Sequence, residues 1–443
     1  MQDDLAKADV TVIGGGLAGM AAAIHLAKAS FQVVCVEPEI GARQPVGESL
    51  DWSAPDLLNA IGLPMERLIG ERFATYKRHV TLKLAEGSRH YIPSDWLGRP
   101  PFNLELRTMH LDRLRFDEEL RKIVLSHGVK LLQDRVVTVE KDGRRVTAVS
   151  TAQGSRLSSP WFVDASGAGT SLFSRSFNLP VHNYGPKKVA IWAYFSVPES
   201  IEGTILYAYG SKPRYMDWVW EIPIRSDEIS VGYVAAGESI KAKRQQGLTV
   251  EEIFRAQLSR FARFELLLKS TSKISPSVTA FQCRVYGRVS GPNWLVVGEA
   301  ASMVDPMTAN GVTAALRHAA EASDLIVRSR YLLKLPRLEA AMYNRRVLDV
   351  GRFFNCGIEK VIYDGPIRNR IGVLTAGDVY TIPAFSLNSL YSHIRPNGAL
   401  STFLFGSVLS LFRGLATLYH AFCERLGAAR ERVNVANLPN GCD

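Results

Sequence analysis

The 443-residue sequence lacks several features that would settle its class at once. Its five cysteines (35, 283, 356, 423 and 442) are scattered, odd in number and without Cys-x-x-Cys spacing, which excludes a disulfide framework and a zinc site of the usual kind. His79 and His110 have no partner at ligand spacing, so no metal is expected. There is no internal repeat, no low-complexity tract and no nucleic-acid-binding motif. The segment MQDDLAKAD at the N-terminus carries acids and no apolar stretch, so a secretory signal is not expected and a reducing cytoplasm is the expected compartment. The formal net charge is +10, and much of the excess falls in 325–370, where ten Lys/Arg face four Asp/Glu. Such a surplus suits an anionic surface or partner as well as a solvated basic face. A 47% hydrophobic content over this length is enough for two or three domains with a sizeable core.

What is present begins at residue 8. ADVTVI reads as a buried strand, Gly14-Gly15-Gly16-Leu17-Ala18-Gly19 follows, and Met20–Ala29 reads as an alanine-rich helix. A second apolar run, Val33–Val36, ends at Glu37, eighteen residues after Gly19. This is a βαβ dinucleotide fingerprint in its proper context. Gly14 permits the tight turn, Gly16 lets a pyrophosphate approach the helix N-terminus, and Gly19 allows close helix–strand packing. Glu37 stands where a carboxylate accepts from ribose hydroxyls.

Two further strand ends carry the same marks. Phe162-Val163-Asp164 leads into Ala165-Ser166-Gly167, with Ser171 and Arg175 beyond. Trp294–Val297 leads into Gly298-Glu299-Ala300-Ala301, then Asp305-Pro306, and a helix over Val312–Arg330. Three glycine-marked strand ends predict one long ligand touched at three places, and FAD meets that need. The adenosine ribose is expected at Glu37, the pyrophosphate at Gly14–Gly19 and Glu299/Asp305, and the isoalloxazine near Pro306–Gly311, including Asn310. The start of the Val312 helix can stabilise negative charge. Asp164 and Gly298 belong to the same set.

Elsewhere, Asp51–Leu63 reads as a helix, 73–100 as strands, His110–His127 as a helix and Val129–Val149 as strand, Asp142-Gly143 turn, strand. The region 188–235 is again β-rich. The expected class is therefore α/β. It comprises a discontinuous, Rossmann-like FAD-binding domain (1–75, 105–180 and 280–335), interrupted by a β-sheet substrate domain (76–104 and 181–279). A helical C-terminal section (336–443) completes it. In Ser401–Phe422, Leu404, Val408, Leu411, Leu415, Leu418 and Phe422 recur at helical spacing, and Phe405, Leu409, Phe412 and Tyr419 widen the apolar face. Either a core helix or a peripheral contact with the inner face of a membrane satisfies this pattern, while Gly406, Arg413 and Gly414 argue against a true span.

Over about residues 8–330 the chain resembles the flavoprotein superfamily of aromatic-ring monooxygenases, flavin-dependent halogenases and geranylgeranyl reductases. The resemblance rests on GGGLAG with Glu37, on Arg43 to Ser49 (RQPVGES, like that family's R-x-x-GES loop), on DASG at 164–167 and on GEAASMVDP at 298–306. Trp218-Val219-Trp220-Glu221-Ile222-Pro223 matches the WxWxIP motif of halogenases, and Lys77 falls where those enzymes place their catalytic lysine. The chain departs from them just before the Val312 helix: Met303 replaces Phe and Ala309 replaces Ser in F-x-x-P-x-x-S-x-G, and Thr308 stands where tryptophan halogenases have Glu.

The resemblance implies that the FAD-binding domain is of the GR2 type, with FAD contacts at Arg43 and Ser49, substrate-side roles for Trp218 and Trp220, and FAD-dependent oxidation of a lipophilic aromatic or isoprenoid small molecule. The leading expectation is a monooxygenase working through a flavin C4a-hydroperoxide. A halogenase using Lys77 and hypohalous acid comes next, then a reductase, and last a non-enzymatic flavoprotein. No second GxGxxG is present, so electrons are expected from transiently bound NAD(P)H or from a partner flavin reductase.

Overall fold

The computed structural model describes residues 8–38, 46–84, 87–92, 95, 98–100, 103, 106–169, 171–200, 202–209, 216–363 and 399–436. A five-stranded parallel sheet forms the first layer, in the order Trp294–Val296, Trp161–Asp164, Val10–Ile13, Val33–Val36, Lys130–Leu132. Its first two strands in sequence are buried along their whole length, with Thr11 the one polar side chain between them, and Val136, Val146, Val149 and Leu157 of a separate three-stranded sheet join the same core. Helix Leu17–Lys28 crosses between them and packs on helix Gly311–Arg328. Expected helix His110–His127 begins only at Arg113 and runs to Ser126. The Asp112 side chain caps it by accepting from the Arg115 N–H at 3.4 Å, while Met109–Leu111 pairs as a strand with Ala74–Tyr76.

The second layer is an eight-stranded sheet. Its order is Ser302–Met303, Ser277–Tyr286, Val181–Ser196, Glu228–Ala236, Asp217–Arg225, Thr204–Tyr209, Val80–Leu84, Gly87–Tyr91. It draws on both expected inserts and reaches the flavin-side turn through its edge strand Ser302–Met303. One face packs on helices Val250–Leu258 and Ala262–Ser270 through Ile191, Val219, Tyr233, Phe254 and Phe264. The other carries Trp192, Trp218 and Trp220, whose apolar cluster extends to Trp52, Met303, Val304 and the C-terminal section.

That section consists of helix Arg337–Gly357, a π-helical turn at Ile358–Tyr363 and the long helix Ala399–Ala436. The two long helices run parallel, Arg346 meeting Thr402, Phe353 meeting Phe412 and Lys360 meeting Thr417. The row Phe405, Leu409, Phe412, Ala416 and Tyr419 packs inward. The other row, Leu404, Val408, Leu411, Leu415, Leu418 and Phe422, is exposed, with Leu418 68% accessible. Both rows are apolar, so spacing alone could not say which one turns inward. By length and composition, Ala399–Tyr419 is also apolar enough to cross a membrane.

Candidate active site

The glycine turn is built for close approach. Gly14 sits at φ +102°, and a Cβ there would lie 2.3 Å from the Ala165 carbonyl oxygen. A Cβ on Gly19 would lie 1.8 Å from the Gly14 carbonyl oxygen. Only glycine fits at either place. Gly16 is different: it is exposed, and a Cβ on it would meet nothing within 4 Å. As N-cap it brings no side-chain acceptor, and the first intrahelical bond runs from Met20 N–H to its carbonyl. The N–H groups of Leu17, Ala18 and Gly19 have no intrahelical acceptor, and such groups at a helix N-terminus can hold an anion. Glu37 accepts from the Gly15 N–H, which holds its carboxylate at the mouth of this turn.

The other two turns close on the first. Gly298 (φ +61°) packs against Ala18, where a Cβ would come within 2.7 Å of that side chain. Glu299 is accessible from the cleft yet crowded by protein atoms, and that crowding raises its pKa while the charge of Arg113 opposes the rise. Arg113, a residue the sequence reading passed over, is buried and donates to the Val46 and Gly47 carbonyls at 3.0 and 3.3 Å. It clamps the loop before Glu48 to the cleft. Gly311 is exposed at the start of the helix Gly311–Arg328, and Val312 packs beneath Gly47. Within this helix start, Asn310 Oδ1 and Thr313 Oγ1 are buried and have no hydrogen-bond partner among the described residues. Open backbone donors, a glycine cradle and orphaned polar atoms at a helix N-terminus fit an extended dinucleotide such as FAD.

Several expected contacts lie elsewhere. Asp164 is fully buried, and its carboxylate accepts from Ser166 N–H and Oγ at 3.0 and 2.6 Å and from Phe173 N–H at 2.7 Å; it shapes its own turn. Ser49 is buried in the wall between the layers, 2.9 Å from Thr204 Oγ1. Its neighbour Glu48 accepts from Tyr194 OH and Ser230 Oγ, both at 3.0 Å, joining the loop to the large sheet. Asp305 is buried and caps the turn Pro306–Thr308 by accepting from Met307 N–H at 3.0 Å. Arg43 lies outside the described residues.

Lys77 follows strand Ala74–Tyr76 and is 3% accessible. Its ammonium donates to the Leu50 carbonyl at 2.5 Å and stands 4.7 Å from the centroid of the Trp52 ring. Burial pulls its pKa down to about 7, with the charge of Asp51 acting the other way. Asp51 also reaches the flavin side: it accepts from Asn310 Nδ2 at 2.8 Å and from Ser53, which in turn accepts from Arg317 at 2.9 Å. Burial likewise keeps His110 far below its usual pKa, and Lys77 and His79 lower it further. Its Nε2 lies 2.9 Å from Thr204 Oγ1. Trp218 and Trp220 lie in the same apolar cluster as Trp52, their ring centroids 5.8 Å apart. Gly232 stands opposite Trp220, where a Cβ would strike the indole at 2.0 Å.

A family model described as tryptophan halogenase matches residues 106–347, more than half of the chain. The chain belongs to the tryptophan halogenase family. A model described as lycopene cyclase protein also matches residues 9–186. A tryptophan 2-halogenase of Chondromyces crocatus is 29% identical over 325 residues, covering 70% of this chain and 59% of that protein's length. A menaquinone reductase of Mycobacterium tuberculosis is 27% identical over 356 residues, covering 76% of this chain and 81% of its own. The crystal structure of a point mutant of halogenase PltM in complex with FAD overlays with a TM-score of 0.70 at 15% identity, over 96% of this chain and 92% of that one. At that identity the likeness is one of fold, and the fold is that of FAD-binding halogenases.

Within this family fold, a second buried lysine was not anticipated from the sequence. Lys188 Nζ lies 3.1 Å from Asp305 Oδ2 and pairs with Glu359, with Cys283 Sγ at 3.9 Å. Cys283, Asp305 and Glu359 offer ligand atoms within 4.8 Å of one another, and the lysine ammonium is the cation among them.

Proposed function

We propose that this protein is an FAD-dependent halogenase acting on a lipophilic aromatic small molecule, with Lys77 as its catalytic residue. The observation that carries this reading is the desolvated Lys77 amine, pulled down to about 7, at the edge of the tryptophan-lined cluster. An ordinary lysine is protonated at neutral pH and has no lone pair to offer. Burial gives this one a substantial neutral fraction there.

When bound, FAD supplies the activation of dioxygen that oxidises a halide to hypohalous acid. The neutral Lys77 amine then forms an N–X bond with hypohalous acid and releases water. An electron-rich ring attacks that halogen, gives up its proton, and regenerates the amine. Trp52, Trp218 and Trp220 supply flat apolar walls that orient a ring and exclude water. The helix start at Gly311 and Val312 offers backbone N–H groups for negative charge on the cofactor. Reducing equivalents come from NAD(P)H or a partner flavin reductase.

The monooxygenase reading keeps one specific support. Met303, Thr308 and Ala309 depart from the halogenase pattern in the stretch that faces the cofactor. The menaquinone reductase relative similarly supports a reductase. One experiment separates them: reduced FAD, dioxygen and phenol, indole or pyrrole as acceptor probes, with and without bromide. A product heavier by one bromine only when bromide is present supports the halogenase. A product heavier by one oxygen regardless of bromide overturns it in favour of the monooxygenase. Turnover without dioxygen marks the reductase.

The exposed leucine row of the C-terminal helix supports a peripheral membrane contact through 401–422.

A further inference from the structure

The ion cluster around Lys188 joins three parts of the molecule. Lys188 comes from the strand Val181–Ser196, just past a bulge where the register with Ser277–Tyr286 shifts between Tyr184 and Lys188. Gly185 in that bulge has φ +61°, and a Cβ on it would sit 2.0 Å from Glu359 Oε2. The bulge therefore both turns the lysine inward and clears the space that the carboxylate fills. Asp305 comes from the cofactor-side turn, where its other oxygen caps Pro306–Thr308. Glu359 comes from the π-helical turn Ile358–Tyr363.

Tyr363 completes the joint. Its ring lies 4.2 Å from Lys188 Nζ, its hydroxyl donates to Asp305 Oδ1 at 3.4 Å, and the same hydroxyl accepts from Trp218 Nε1 at 2.7 Å. One turn of the C-terminal section thus touches the cofactor-side turn, the buried lysine and a substrate-side tryptophan. Asn355 adds a bond to the Met303 carbonyl at 3.0 Å.

We propose that Lys188 is a positioning residue for the cofactor: its paired contacts with Asp305 and Glu359 make the 358–363 turn a structural part of the flavin site, so that FAD binding and the docking of this turn are coupled. The proposal rests on the reading that the chain binds FAD and is independent of whether it halogenates. A buried ammonium held by two carboxylates has a sharply defined position, because leaving either carboxylate unpaired in the interior is unfavourable. The turn Pro306–Gly311 inherits that definition through Asp305. By thermodynamic linkage, whatever FAD gains from an ordered turn it returns as order in 358–363.

The test uses the full chain and FAD itself. Hydrogen exchange of the wild type is followed in 354–363 with and without FAD, and FAD dissociation constants are measured for wild type, Lys188→Met, Asp305→Asn and the double variant. FAD should slow exchange in 358–363, and Lys188→Met should weaken FAD binding by about tenfold or more. Asp305→Asn keeps an oxygen to cap Met307 but removes the ion pair, so the two single losses should overlap in the double variant and not add. Tyr363→Phe should shift the tryptophan emission by freeing the Trp218 N–H. Failure of the wild type to bind FAD would overturn the cofactor reading itself. FAD binding with unchanged exchange in 358–363 overturns the coupling, even if Lys188→Met proves insoluble. Wild-type affinity in both single variants overturns the role of Lys188.

Discussion

Two lysines are each almost fully enclosed: Lys77, just after the strand Ala74–Tyr76, and Lys188, in the strand Val181–Ser196 of the large sheet. Lys77 holds a carbonyl oxygen and the face of an indole, and burial brings it close to losing its proton at neutral pH. Lys188 holds two carboxylates, and their charges outweigh burial, raising its pKa above the ordinary lysine value. The residue type is the same and the enclosure is the same. Partners decide whether a buried lysine is a reactive amine or a fixed cation. The first suits chemistry, and the second suits the anchoring of a turn.

The comparison can be broken by substitution. The largest effect is expected at Lys77: Lys77→Met should lower halide incorporation by about 10²–10⁴-fold, the usual range for removing a proton-transferring or nucleophilic group. The same variant should melt no lower than wild type, because it replaces a desolvated amine with an apolar chain of similar length. A calorimetric scan checks this, and a marked loss of stability would make Lys77 a structural residue. Lys188→Met should do the reverse. It strands Asp305 and Glu359, and urea denaturation should show a loss of about 3–5 kcal/mol.

The pH dependence sharpens the contrast. Burial brings the Lys77 pKa down to about 7 from the ordinary lysine value of 10.5. Below about 7 it is protonated in both states and the full cost of burying the charge is present. As pH rises from about 7 towards 10.5, the folded state sheds that charge first, so this residue's contribution to stability improves. Halogenation should accordingly show an acidic limb near pH 7, and the stability of Lys77→Met should lack the matching slope. The smallest effect is expected at the surface: Leu411→Glu with Leu415→Glu should leave FAD binding unchanged and reduce flotation with anionic vesicles. Equal flotation of variant and wild type would remove the membrane contact.

The cofactor half of this molecule was legible because its demands are local. Gly14, Gly16, Gly19 and Glu37 lie within one βαβ unit, and each glycine answers a contact or an opening that the structure displays. Lys77 stood out only through the family resemblance; its burial and its Trp52 partner depend on a fold that brings 50–52 beside 77. The ion joint left no signal at all. Its members stand at 188, 305 and 359, and Lys188 reads as a surface residue of an alternating strand until the bulge shifts the register. Ser49 and Asp305, expected at the cofactor, show the converse: their side chains turn inward and hold their own loops in place.

The role proposed for Lys77 is to carry halogen to the substrate. The most direct measurement is the mass of the product formed by wild type and Lys77→Met under identical conditions, with reduced FAD, dioxygen, bromide and the aromatic probes, alongside the rate of flavin reoxidation. Brominated product is expected from the wild type alone, with reoxidation unchanged in the variant. Equal bromination by Lys77→Met, or an oxygenated product from the wild type with no bromine incorporated, would contradict it.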